Sequence, residues 1–145
     1  MRARYDSGMR GLLVVAGLLA SAWSIFGCTC EEPRLKDAKK RAEIVFRGTI
    51  TEIRDGWIHF RIERVWKGNL PREFLMVDFR ETTACVGFWP DHVRAGNDLV
   101  VFAYWMPESD PKGAYFTDIC SRTGLASKRA DDIRRLGRGR KPRNN

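Results

Sequence analysis

Four cysteines are the residues of this sequence most suited to chemistry: Cys28 and Cys30, separated by a single threonine, then Cys85 and Cys120 far downstream. Two chemistries are open to them. Zinc sites favour closely paired cysteines of the C-x2-C type, completed by a second pair or by histidines. Here the spacing is different, and the only histidines, His59 and His92, do not cluster with the cysteines. No metal is therefore expected on the isolated protein. Disulfides are the other chemistry. A Cys28–Cys30 bond would close a badly strained local loop, so the remaining pairings each tie the Cys28-Thr29-Cys30 segment to both distant cysteines. Each such long loop adds roughly 4 kcal/mol by chain entropy. No nucleophile stands beside a base and an orienting acid in a recognisable pattern, so neither catalysis nor a cofactor is expected. His59 falls on the polar face of a strand and reads as a solvent residue.

Disulfides require an oxidising compartment, and the N-terminus agrees. Arg2, Arg4 and Arg10 outweigh Asp6, and Gly11 to Gly27 then run 17 residues without a charge. A basic start, an apolar stretch and a small residue at its end are the layout of a secretory signal. The stretch is shorter than the ~20 residues a membrane-spanning helix needs. Residues 1–27 are expected to be removed, leaving 118 residues, enough for one domain. Ile25-Phe26-Gly27-Cys28 loosely matches a bacterial lipobox, which would anchor the protein to a membrane through Cys28. Lipidation would consume that thiol and leave Cys85 or Cys120 unpaired, whereas the even cysteine count favours disulfides.

Charge is unevenly placed. Residues 28–127 hold 15 Lys and Arg against 15 Asp and Glu, whereas residues 128–143 hold 8 basic residues against Asp131 and Asp132, a net +6. The basic character therefore belongs to a tail. Proteins whose fold reads nucleic acid carry basic surface on the fold itself, so no nucleic-acid partner is expected. Attachment of the tail to an anionic membrane surface is the less favoured use of its charge.

The cysteines must be positioned by the elements between them. Arg34 to Glu43 reads as a short helix with Leu35, Ala38 and Ala42 on one face. Ile44 to Ile53 switches to strand period, with Gly48 marking a bulge or a sharp bend. Asp55-Gly56 is a hairpin turn, and Trp57 to Trp66 alternates clearly, with Ile58, Phe60 and Ile62 on one side. Lys67-Gly68-Asn69 turns the chain into a third strand, Glu73 to Phe79, with Leu75, Val77 and Phe79 inward. Thr82 to Asn97 is irregular. Asp98 to Met106 reads as a strand buried on both sides, and Ala114 to Ile119 as a fifth strand. Ser127 to Leu136 is a helix with Ala130, Ile133 and Leu136 on its apolar face. The polar residues 138–145 are expected to be disordered. Trp57, Trp66, Trp89 and Trp105 read as core or rim aromatics. Five short strands favour an all-β domain with flanking helices, a small five-stranded OB-type closed barrel stapled by disulfides. A five-stranded open sheet with one covering helix is the alternative.

Cys28-Thr29-Cys30, a short helix, the strand Ile44-Val45-Phe46-Arg47-Gly48-Thr49, the segment Phe60 to Gly68 and the placing of Cys85 and Cys120 together resemble a known family. It is the netrin-like modules, and within them the N-terminal inhibitory domain of the tissue inhibitors of metalloproteinases (TIMP-like). The resemblance spans residues 28–137. It implies an OB barrel with Cys28 joined to Cys85 and Cys30 to Cys120. It also implies that the α-amino nitrogen and carbonyl oxygen of a mature N-terminal Cys28 chelate a target protease's zinc, displacing the catalytic water. Thr29 would enter the specificity pocket, and Thr83, Ala84 and Cys85 would form a flanking ridge. The family's third disulfide has no counterpart here, and the Arg54-Asp55-Gly56 hairpin is short. The expected function is thus an exported protein-binding module, extracellular or periplasmic, that inhibits a zinc metalloendopeptidase. The alternative is an envelope structural or adhesion-type module without zinc chemistry, and an oligonucleotide-binding barrel comes third.

Overall fold

A computed structural model describes residues 28, 30–79, 85–108 and 113–144. The expected signal segment and three of the expected contact residues, Thr29, Thr83 and Ala84, lie outside the described residues.

The elements run α1 (Leu35–Arg41), β1 (Ile44–Arg54), β2 (Trp57–Lys67), β3 (Glu73–Val77), β4 (Asp98–Met106), β5 (Ala114–Phe116), β6 (Gly124–Leu125) and α2 (Ala130–Leu136). The strands form one antiparallel sheet in the order β3-β2-β1-β4-β5, with β6 on β4. Asp55 and Gly56 both take positive φ, 53° and 76°, the backbone a two-residue hairpin of this twist needs. The β1–β2 ladder shifts register three times, between Val45 and Phe46, Arg47 and Gly48, and Ile50 and Glu52. Each shift adds twist and bends the strands, so the sheet curls into a half-barrel. At Gly48 the strands approach so closely that a Cβ would stand 3.0 Å from the Arg61 carbonyl oxygen.

The curl does not complete a ring. Among the described residues no ladder joins β3 to β5, and these edges meet only through side chains, Phe74 against Tyr115 with ring centroids 5.6 Å apart. The closed barrel expected from the sequence is thus replaced by an open, curled sheet. Its last strand, β5, spans three residues and uses its pairing on β4.

β4 explains how the core divides. Leu99 to Ala103 are all fully buried, as its unbroken apolar run requires. Leu99, Val101 and Ala103 join the half-barrel interior with Phe46, Phe60 and Met76. Val100 and Phe102 face the other way, under Leu35, Ala38 and Ala42 of the α1 region and Ile133 and Leu136 of α2. The sheet is therefore covered on both faces around β4.

Three expectations change in the structure. On β3 Phe74 and Met76 join the half-barrel core and Leu75 is 45% exposed, whereas Val77 is buried as expected. Pairing decides this: Phe74 lies opposite Phe60 and Met76 opposite Ile58, while Leu75 lies opposite His59, and cross-strand partners share a face. On α2 Ala130 is exposed, and the buried position is Asp132. Finally, residues 138–144 are not a disordered extension. They dock on the part of β2 beyond β3's reach through an Arg140–Val65 bridge, and on the connection from β2 to β3 through an Arg143–Pro71 bridge.

Candidate functional site

The cysteines converge at one corner, and hydroxyls build its floor. Thr117, Ser121 and Thr123 are buried and satisfy one another: Thr117 Oγ1 lies 3.0 Å from Ser121 Oγ and 2.8 Å from Thr123 Oγ1. Thr117 donates to the Phe102 carbonyl at 2.9 Å, and Thr123 accepts the Phe102 amide at 2.9 Å. A fully satisfied buried network of this kind fixes a single backbone path. That path is the turn Asp118–Arg122, which carries Cys120.

The Cys85 segment is laid against the same turn. Val86 bridges Asp118, the Gly87 amide donates to Thr117 at 2.7 Å, and the Ile119 amide donates to Cys85 at 3.1 Å. Cys85 and Cys120 are thereby brought side by side. Cys28 is joined to Cys85 with Cα atoms 5.9 Å apart, and Cys30 to Cys120 with Cα atoms 5.0 Å apart. Two covalent anchors hold cysteines only two positions apart in sequence.

A third anchor is ionic. The Arg122 guanidinium donates to both carboxylate oxygens of Asp132, at 2.9 and 2.7 Å, and to the Pro33 carbonyl at 2.9 Å. Its Nη1 lies 3.1 Å from Glu32, which also pairs with Arg129. Asp132 is 2% exposed, and a buried charge persists where partners compensate its lost hydration. The hydrogen bond to Asp132 raises the Arg122 pKa, against burial, which lowers it. The segment 30–33 is thus tied to α2 as well as to the β5 turn.

Among titratable groups here, burial pushes the Asp118 carboxyl up, while the Cys120 and Ser121 amides and the Arg41 charge pull it down. Burial also raises Tyr104, reinforced by Asp118. His59 lies away from this corner, on the outer face of β2 opposite Leu75. His92 is mostly enclosed; burial lowers its pKa, opposed by Asp91 and assisted by Arg129. Its Nδ1 is buried and makes no hydrogen bond among the described residues. No group of three or more His, Cys, Asp or Glu side chains suited to a metal ion occurs among the described residues.

Of the residues expected at the site, Cys28 and Cys85 are brought together. Cys28 is partly exposed and Cys85 exposed. Sequence reasoning missed Glu32, Arg122, Asp132 and the three hydroxyls. Only Asp132 left a readable signal: it falls one position before Ile133 and four before Leu136, on the stripe that α2 buries.

No family model, curated protein or solved structure matches the chain. The two disulfides suit an oxidising, extracellular-type environment. Among the described residues no helix is long and apolar enough to cross a membrane.

Proposed function

We propose that the chain is an exported protein-binding module, released from its signal segment at Cys28, which presents that chain end to a zinc metalloendopeptidase. The observation that carries this reading is the double clamp. A chain beginning at Cys28 would be held at its first and third residues by disulfides and at Glu32 and Pro33 by Arg122. A ligand held this way loses little conformational entropy on docking. Its α-amine, with a pKa of about 8, is available as a metal ligand close to neutral pH. The TIMP-like architecture also fits the strand order: pairing β3 with β5 would close the path β3-β2-β1-β4-β5 into a five-stranded ring. The Cys28–Cys85 bond speaks against lipidation of the Cys28 thiol.

The test is inhibition of a panel of zinc endopeptidases by protein beginning at Cys28. An added N-terminal alanine, or acetylation of the terminus, displaces or removes the amine lone pair and should abolish inhibition with the fold unchanged. Replacing Thr29 by a bulky residue should change which protease is bound, because it alters pocket filling and not chelation. Inhibition that survives the alanine extension would rule out chelation by Cys28. Absence of inhibition across the panel, or a lipid found on Cys28 by intact mass, would favour the envelope-module reading.

A further inference from the structure

The docked C-terminal segment changes where the protein's charge resides. Residues 138–144 carry much of the excess positive charge, and they lie on the fold. The Arg140 amide donates to Val65 and the Val65 amide to Arg140, both at 2.9 Å, and the Arg143 amide donates to Leu70 at 2.8 Å. The Trp66 indole donates to the Gly137 carbonyl at 2.8 Å, and the Arg140 guanidinium caps the Gly68 carbonyl. The crossing requires glycine at 139. There φ is 61°, and a Cβ would stand 2.9 Å from Arg64 Cγ, Trp66 Cδ1 and the Val65 oxygen.

This docking places tail cations beside β2 cations. The register shift between Arg47 and Gly48 leaves Glu63 as the extra residue on β2, so Glu63 and Arg64 are both exposed in succession. Two recesses result, of about 440 and 430 Å³. They share Glu63 and Lys141, so they adjoin. Six cations line them: Arg61, Arg64, Arg72, Arg138, Arg140 and Lys141. Among the described residues the one carboxylate lining them, Glu63, already lies 3.7 Å from Arg47 and accepts a hydrogen bond from Thr49. Arg61, Arg64, Arg72, Arg138 and Lys141 make no ion pair among the described residues.

We propose that this groove binds a linear anionic polysaccharide, one bearing carboxylate or sulfate groups along its length. Uncompensated cations converging on a concave surface attract anions from solution. Two adjoining recesses suit a ligand that repeats its charge, and arginine forks match carboxylate and sulfate oxygens. Among the described residues no aromatic side chain lines either recess, so the groove lacks the stacking platform on which single-stranded nucleic acids rest their bases. These cations are themselves exposed but surround a concavity, which fits a chain lying along it better than a flat bilayer surface. This inference is independent of the inhibitor reading, because the groove shares none of the residues of the cysteine corner.

The experiment titrates the disulfide-formed full-length protein with dextran sulfate and with polygalacturonate at about 0.15 M salt. A single-stranded oligonucleotide and vesicles containing anionic lipid are titrated in parallel. Binding of at least one polysaccharide is expected, tighter than either comparison ligand. The double variant R61Q/K141Q should weaken it about tenfold or more and lower the salt dependence by roughly two charges. K36Q/R94Q removes two exposed charges outside the lining of either recess and should have far less effect. G139V keeps every charge but obstructs the tail's crossing, and it should weaken binding as strongly as R61Q/K141Q; circular dichroism would show the remaining fold intact. Three results would overturn the proposal: no binding of either polysaccharide, equal losses in R61Q/K141Q and K36Q/R94Q, or tighter binding of the oligonucleotide or vesicles through the groove residues.

Discussion

The two ends of the described chain are fastened by different physics. At the N-terminal end, Cys28 and Cys30 are covalently joined to residues 57 and 90 positions away, and Arg122 adds a largely buried ion pair with Asp132. At the C-terminal end, a few backbone hydrogen bonds and one indole N–H hold residues 137–143 to β2 and the connection that follows it. The first fastening constrains even the unfolded chain. The second exists only in the folded state and opens locally at the low cost of a few exposed hydrogen bonds. The rigid end suits presentation of a fixed shape, and the lightly held end suits a charged surface that forms only when the sheet has formed.

Removal of the longer disulfide should have the largest effect. Replacing Cys30 and Cys120 together by alanine is expected to cost about 4–5 kcal/mol by the loop-entropy relation, measured by urea denaturation against the oxidised parent. The amides of Val65 and Arg140 should keep their exchange protection relative to global stability. Selective loss at those two amides would show that the ends are coupled, which breaks the contrast.

Next comes the ionic anchor. Asp132→Ala leaves the Arg122 guanidinium enclosed without its bidentate partner, and about 3 kcal/mol of destabilisation is expected, the lower part of the range for breaking a buried pair. A cost near 0.5 kcal/mol, typical of exposed pairs, would mean that solvent reaches Arg122 easily and that the disulfides alone hold segment 30–33.

The smallest effect belongs to the tail. Trp66→Phe removes the indole donor to Gly137 and some packed volume, for an expected loss of about 1–2 kcal/mol. Hydrogen exchange at Arg140 and Arg143 should accelerate more than exchange within β4. Uniform acceleration everywhere would show that the tail belongs to the global cooperative unit, and the two fastenings would then differ in chemistry but not in stability.

Much of the fold was legible in the sequence where patterns are local. The β1–β2 hairpin follows from Asp55-Gly56 and the alternation of Ile58, Phe60 and Ile62, and each of those three side chains is buried. The β4 strand runs Asp98–Met106 as its apolar run indicates. The α1 face of Leu35, Ala38 and Ala42 is buried as spaced. The parity of β3 was not legible, because Glu73-Phe74-Leu75-Met76-Val77 is apolar at four consecutive positions and either face could be read as the inner one. Only its ladder with β2 selects Phe74 and Met76.

By itself the sequence determined the strand periods, the tight turn, the doubly buried strand and the presence of cysteines in bondable number, since each depends on neighbours a few residues apart. Tertiary structure decided what depends on distant partners. It left the sheet open between β3 and β5, it buried Asp132 against an arginine ten positions earlier, and it placed a basic tail on the edge of β2 that β3 does not cover. The physical reason is the same in each case. A backbone edge or a charge accepts whichever partner the folded chain brings within hydrogen-bonding distance, and no periodicity in the sequence records that meeting.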